Sequence, residues 1–292
     1  MISGFLCATS GEPDFLCMFW NVENFFEARP HFKDKCNGIA KSFMLAADEF
    51  GGMPDLIGLA EVENRRVVQK LVSRTGLRRA DYGIVHYDSP DRRGIDCALL
   101  YRRSRFRLVV SKPCHLPDST GRPLPTRDIL LAVLVPSEAA PVAILVNHHP
   151  SKVGKGSDVR RELAMARLMA LRDSLLAEGI SRIIAVGDFN DEVVPAPGVT
   201  PAYPAGSGTI KFQGRWEKID GCPVLEGLEA REHIFAPPHL STRDTRFSGT
   251  KPLRTFSGPR YLGGLSDHYP IILELKFVPE NGRKWEQTPE IQ

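Results

Sequence analysis

The chain has 292 residues, 42% of them hydrophobic and 25% charged, with a net charge of +3. This is the balance of a soluble globular protein with enough apolar material for a sizeable core. No run of 18 apolar residues is present, which excludes a membrane span, and so mild a positive charge does not by itself predict nucleic-acid binding.

The opening residues, MISGFLCATSGEPDF, hold a short apolar stretch without a basic leader. They are too short for a complete signal peptide, though compatible with a trimmed remnant of one. FLCMFWN (15–21) predicts the first strand. A helix is predicted over 38–50, after the cap candidate Asn37 and before Gly51-Gly52. DLIGLAE (55–61) predicts a strand, and Asn64 caps a helix that runs through Arg74 to Gly76. Strands follow at 82–87, 96–102, 105–110, 128–135 and 142–148. The third helix spans Asp158 to Glu178, where Leu163, Ala166, Leu168, Leu171 and Leu175 recur at helical spacing. RIIAVGD (182–188) and YPIILELKF (269–277) are the last strands expected. Segment 192–260, rich in Gly, Pro and Ser, reads as long loops. Nine strands with interspersed helices predict a mixed α/β (α+β) protein. No linker is visible, so residues 1–292 are expected to form a single domain, with a core of about 14–278 and a loop-rich insertion at 192–260.

The six cysteines, Cys7, Cys17, Cys36, Cys97, Cys114 and Cys222, include no C-x-x-C pair. Neither a disulfide framework nor a zinc site is expected. A reducing compartment, the cytoplasm, is favoured, with secretion or a periplasmic location the alternative if the N-terminus is a leader remnant.

Four apolar strands end in a polar group: Asn21, Glu61, His148 and Asp188. A fifth cluster, Ser266-Asp267-His268, precedes the strand 269–277. Alone, VGDFND (186–191) could be a turn, because Asp and Asn commonly open turns. Five such ends are harder to explain that way, since loops positioned by a rigid sheet are where binding and catalytic groups sit. If the ends converge, carboxylate and amide oxygens without thiolates suit Mg²⁺ or Mn²⁺, and the imidazoles beside them suit an anionic, phosphate-bearing substrate.

FWNVENFF, GLAEVEN, SPDRRGIDCALLY, LVNHHPSK, VGDFND and GLSDH occur in this order between about residues 20 and 270. Together they resemble the endonuclease/exonuclease/phosphatase (deoxyribonuclease I-like) superfamily, and NVEN with SPDRRGID resembles a bacterial branch of it. The resemblance implies a four-layer sandwich, two packed mixed β-sheets flanked by helices, and divalent-metal hydrolysis of a phosphate ester by in-line attack of water. It assigns Asn21, Glu61 and Asp267 to the metal, with Glu61 as the main carboxylate. Asp188 and Asn190 are implied to orient and deprotonate the attacking water, and His148 and His268 to face the scissile phosphate. Asp220, in GRWEKIDGC (214–222), is implied to orient His268 from the end of a weak strand, Trp216 to Ile219. His149 is read as a wall of the pocket. Arg93 and Asp96 could line the substrate cleft, Arg93 by bidentate phosphate contact, or simply belong to a solvated hairpin turn. Lys152 has the same two readings, and Arg127 could reach a phosphate or cap a strand edge.

The expected protein is therefore a metal-dependent phosphodiesterase or nuclease, expected to be a monomer, with nucleic acid, DNA or RNA, as its first substrate choice. A small-molecule phosphatase or a lipid phosphodiesterase of inositol phosphate or sphingomyelin type is the alternative on the same site. A binding protein that kept the fold but lost the chemistry ranks below both, because every matched position keeps its reactive residue. The three tryptophans, Trp20, Trp216 and Trp285, are scattered, and the sequence shows no interleaving of aromatic and basic residues of the kind that grips single strands.

Overall fold

The computed structural model describes residues 12–118, 120–137, 139–152 and 156–278; Cys7 and Trp285 lie outside them. In chain order the elements are β1 (Phe15–Phe25), α1 (Phe32–Phe50), β2 (Leu56–Val62), α2 (Arg65–Arg74), β3 (Tyr82–His86), β4 (Asp96–Arg102), β5 (Phe106–Cys114), β6 (Ile129–Pro136) and β7 (Val142–His148). Next come α3 (Ser157–Ala177), β8 (Arg182–Asp188), β9 (Val199–Pro201), β10 (Ile210–Phe212), β11 (Arg215–Glu217), β12 (Asp220–Glu226) and β13 (Leu228–Ile234). Two small hairpins, β14 (Ser241–Arg243) with β15 (Thr250–Pro252) and β16 (Phe256–Ser257) with β17 (Arg260–Tyr261), precede β18 (Ile271–Phe277).

Two mixed sheets carry the core. One has seven strands in the order β3-β4-β2-β1-β18-β13-β9, the other five in the order β12-β8-β7-β6-β5. Alternation along each strand sorts its side chains into layers. From β1, Phe15, Cys17 and Phe19 point between the sheets and join Val142, Ile144 and Val146 of β7. Met18, Trp20 and Val22 face the other way, onto Ile39 and Phe43 of α1 and Val67, Val68 and Leu71 of α2. On the far side, Ala143 and Leu145 of β7 meet Ala164, Leu168 and Leu171 of α3. The result is the expected four-layer sandwich, helix–sheet–sheet–helix. The central strands are apolar on both faces because each is covered on both.

Strands β1 and β5 run to Phe25 and Cys114, past the expected ends at 21 and 110, and three further differences bear on the fold. Helix α1 starts at Phe32 rather than at 38. Its cap is His31, in the left-handed region at φ 64 with no side-chain capping bond, so no Ser, Thr, Asp or Asn marks the start. The segment 192–260 is not all loop, since β12 completes the five-stranded sheet and β13 pairs with β18 along seven residues. Third, Asp220 does not end a strand from Trp216 to Ile219; β11 stops at Glu217 and Asp220 opens β12. The glycines and prolines around these strands hid them. By contrast, Asn64 caps α2 as expected, its side chain accepting from the Val67 N–H at 3.1 Å. The five described cysteines are free and buried, and no helix among the described residues is long and apolar enough to cross a membrane.

Candidate active site

Strand register assembles half of the site. In the parallel β7–β8 pair His148 lies opposite Asp188, and in the antiparallel β8–β12 pair Asp188 lies opposite Asp220. Three neighbouring strand ends thus present His148, Asp188 and Asp220 side by side. Gly187 permits this close pairing, because a Cβ there would stand 2.6 Å from the Asn147 carbonyl oxygen.

The other sheet supplies the facing half. Both β1 and β2 are irregular where they leave the core, with register shifts between Asn21 and Phe25 and between Leu59 and Val62. Bulges of this kind re-aim side chains. Glu61 sits at the second irregularity with φ 63, a costly conformation for a residue other than glycine. One of its carboxylate oxygens accepts from the Asn24 N–H at 2.8 Å. The Ser266-Asp267-His268 segment is locked onto β1. The Trp20 indole donates to the His268 carbonyl, the Ser266 hydroxyl donates to the Asn21 carbonyl, and the His268 N–H donates back to Ser266 Oγ.

Asp188 is where the halves meet. Asn21 Nδ2 donates to Asp188 Oδ2 at 3.0 Å across the two sheets, and the Asn190 N–H donates to Asp188 Oδ1 at 2.9 Å. His148 Nε2 lies 3.6 Å and His268 Nε2 3.9 Å from Asp188 Oδ2. The other nitrogen of His268, Nδ1, is 2.9 Å from Asp220 Oδ2, the pairing the sequence resemblance implied. Asn190 adopts φ 51 and spends its amide N–H on the His149 carbonyl at 3.0 Å.

Burial and charge separate the protonation states. Burial, reinforced by the Asp220 carboxylate, pushes Asp188 up to about 7. For His268 burial opposes the charged form, but Asp220 and Asp188 outweigh it and hold the ring well above the ordinary imidazole range. Burial and the Arg127 charge hold His148 well below that range and push His149 down to about 3. One imidazolium and one neutral imidazole therefore flank the same carboxylate.

The remaining expected residues are placed less centrally. Asp267 is partly exposed at the rim, 3.1 Å from the Arg254 guanidinium. Arg93 is exposed and pairs loosely with Asp91 at 3.5 Å, yet its charge still acts on His148. Asp96 is buried and turned inward, with Oδ2 3.1 Å from His86 Nε2 and Oδ1 accepting from the Ser89 N–H. Lys152 pairs with Glu217 at 2.6 Å. Arg127 reaches no phosphate position; its buried guanidinium donates to the His148 and His149 carbonyls and to Asp91. The His149 ring packs edge-on against Phe189 with centroids 4.8 Å apart.

Three residues of this rim, Glu23, Lys35 and Arg254, escaped the sequence reading. Glu23 is buried, takes two bonds from Arg254 at 2.9 and 3.1 Å and one from the Thr255 N–H at 2.7 Å. Lys35 is buried too, donates to the Glu23 carbonyl and Thr255 Oγ1, and burial lowers it to about 8 against the pull of Glu23, Glu61 and Asp267. Its signal was present: Lys35 lies one turn before Ile39, on the apolar stripe of α1, where an ammonium is out of place.

The donor set fits a hard divalent cation. Glu61, Asp267 and Asn21 all offer oxygen atoms, the ligand type such a cation takes. One buried oxygen of Asp220 has no hydrogen-bond partner. Asp188, Asp220 and His268 also present atoms within 4.8 Å of one another. That trio is better described as a hydrogen-bonded chain than as a metal cage, because His268 spends Nδ1 on Asp220.

The sequence matches the Endonuclease/Exonuclease/phosphatase family over residues 26–197 and 197–277. The chain belongs to this family. Solved members agree in fold. An endonuclease/exonuclease/phosphatase family protein from Bacteroides thetaiotaomicron superposes with a TM-score of 0.61 at 14% identity, covering 91% of this chain and 98% of that one. A mannosyl-6-phosphatase from the same organism gives 0.60 at 16% identity, with 90% and 100% covered. D. rerio TDP2 complexed with a single-strand DNA product gives 0.53 at 17%, with 90% and 98% covered. At such identities the likeness carries the fold and not a substrate. A comparison with curated protein sequences gives no match.

Proposed function

We propose that this family member is a divalent-metal-dependent phosphodiesterase that works as one domain, with nucleic acid as its first substrate class. The observation that carries the reading is Asp188, a buried carboxylate held by the Asn190 N–H and the Asn21 amide, between a charged and a neutral imidazole. A carboxylate raised to about 7 is suited to take a proton from water near neutral pH. Asn190 fixes the orientation of that carboxylate. His268, charged through Asp220, faces the phosphate oxygens on which negative charge grows, and such preorganised charge supplies much of the catalysis. His148, neutral and buried, can donate one hydrogen bond to the same group. Asn21, Glu61 and Asp267 would hold Mg²⁺ or Mn²⁺, which when bound polarises the phosphate as a Lewis acid.

A phosphatase acting on small phosphate esters is the second reading, favoured by the fold shared with the mannosyl-6-phosphatase. Both are tested by one panel: plasmid DNA, RNA, bis-p-nitrophenyl phosphate, p-nitrophenyl phosphate and inositol polyphosphates, with and without Mg²⁺. Hydrolysis of the diesters ahead of the monoesters is expected, abolished by chelator and restored by Mg²⁺ or Mn²⁺. Asp188→Asn and Glu61→Gln should each lose about a hundredfold to a thousandfold in rate while melting normally. Turnover undiminished in excess chelator would overturn the metal role. Near-native activity in either variant would show the site misplaced.

A further inference from the structure

We infer that a platform of stacked rings beside this site binds the bases of single-stranded nucleic acid next to the scissile phosphate. The inference rests on the phosphodiesterase reading above and narrows its substrate class.

The platform is built from two segments more than 220 residues apart. The His31 and Tyr261 rings lie face to face, with centroids 3.9 Å apart and planes 7° from parallel. Phe256 leans on Tyr261 at 5.4 Å, and the Arg29 guanidinium stands 5.9 Å from the Phe256 ring centre. None of these rings belongs to the core clusters. The His31 side chain is 45% exposed, and Phe256 and Tyr261 are half-buried. Arg260, which opens β17 opposite Ser257, is exposed.

The platform adjoins the catalytic rim. Thr255, immediately before Phe256, donates its N–H to Glu23 Oε2 at 2.7 Å, two residues from Asn21. Arg254, one residue earlier, joins Glu23 to Asp267. A chain whose phosphate lies at Asp188 and His268 would pass this hairpin as it leaves.

The chemistry selects the ligand. Flat, partly wet rings stack on any base, and such stacking tolerates every sequence. Arg29 and Arg260 add positive charge beside the rings, which complements flanking phosphates. A duplex keeps its bases stacked on one another and offers no free face to the platform. A small phosphate ester without a base has nothing to lay on the rings.

The test is binding by full-length protein in an Asp188→Asn background, with fluorescein-labelled single-stranded DNA, single-stranded RNA and duplex DNA as probes in Mg²⁺. Single strands should bind more tightly than the duplex, and the two single strands show which sugar is preferred. Tyr261→Ala should weaken single-strand binding roughly tenfold, the effect of losing one stacked base, while melting like its parent. Tyr261→Trp should restore affinity, as a larger stacking face would. Unchanged affinity in Tyr261→Ala, failure of Tyr261→Trp to restore it, or tighter binding of duplex would overturn the inference. Hydrolysis of bis-p-nitrophenyl phosphate by the wild-type protein tests the phosphodiesterase reading separately, because that compound has no base to stack.

Discussion

At the scale of single residues, the candidate site gives identical groups different surroundings. His268 and His148 flank one carboxylate, yet one is held charged by Asp220 and the other neutral by burial and Arg127. If Asp220 acts through His268, Asp220→Asn and His268→Ala should each slow hydrolysis. The double variant should then be little worse than the more damaging single one, since residues acting as a unit are not additive. Independent, multiplicative losses would return Asp220 to a merely structural part. His149 makes a separate prediction about stability. Its folded value of about 3 lies below the ordinary 6.5. Above pH 6.5 both states are neutral and nothing is lost. Between 6.5 and 3 the unfolded chain takes up a proton that the folded one refuses. Stability should therefore fall by up to about 1.4 kcal/mol per pH unit as pH drops through this window. His149→Phe should flatten the decline in melting temperature between pH 6 and pH 4. An equally steep decline in that variant would assign the acid sensitivity elsewhere.

Among the elements, a buried arginine ties the loop that holds Asp91 to the end of β7. Arg127 gives one bond to Asp91, at 3.0 Å, and others to the carbonyls of His148 and His149. Asp91 in turn accepts from the Arg93 N–H at 2.8 Å. The hairpin that carries Arg93 is thereby fixed relative to His148. Removing Asp91 leaves the buried Arg127 charge without its carboxylate, and removing Arg127 leaves Asp91 only the loose Arg93 contact, costs of up to about 3–5 kcal/mol. Urea unfolding of Arg127→Met, Asp91→Asn and the double variant should show strong coupling, the double being far less damaged than the sum. Additive losses would mean that the pair carries no joint load. This scale also shows what composition conceals. Strands β4, β7 and β8 have the bounds their apolar runs predict. Strands β12 and β13 were unreadable, because Gly221, Pro223 and Gly227 interrupt β12 or end it, and β13 alternates Leu228, Ala230 and Glu232 with exposed polar residues. Register with β8 and β18 makes them strands, and register is a property of the partner.

For the whole molecule, the layers and much of the candidate site were legible in the residue order alone. Apolar runs of five to eight residues need cover on both faces, which two packed sheets with outer helices provide. A polar group at the end of each run has to sit at a sheet edge, so Asn21, Glu61, His148 and Asp188 were legible one strand at a time. The pairing of Asp220 with His268 came through resemblance, and the 2.9 Å contact is present. What lies between elements distant in sequence became visible only with the folded chain. It turned Asp96 toward His86, committed Arg127 to carbonyls, and brought Glu23, Lys35 and Arg254 into one rim. It also joined His31 to Tyr261, so that aromatic and basic residues scattered along the chain share a surface. The physical reason is one of range. Periodicity records how a residue meets its own element's neighbours, whereas a hydrogen bond or a ring stack across more than 200 residues is fixed only when the sheets have closed.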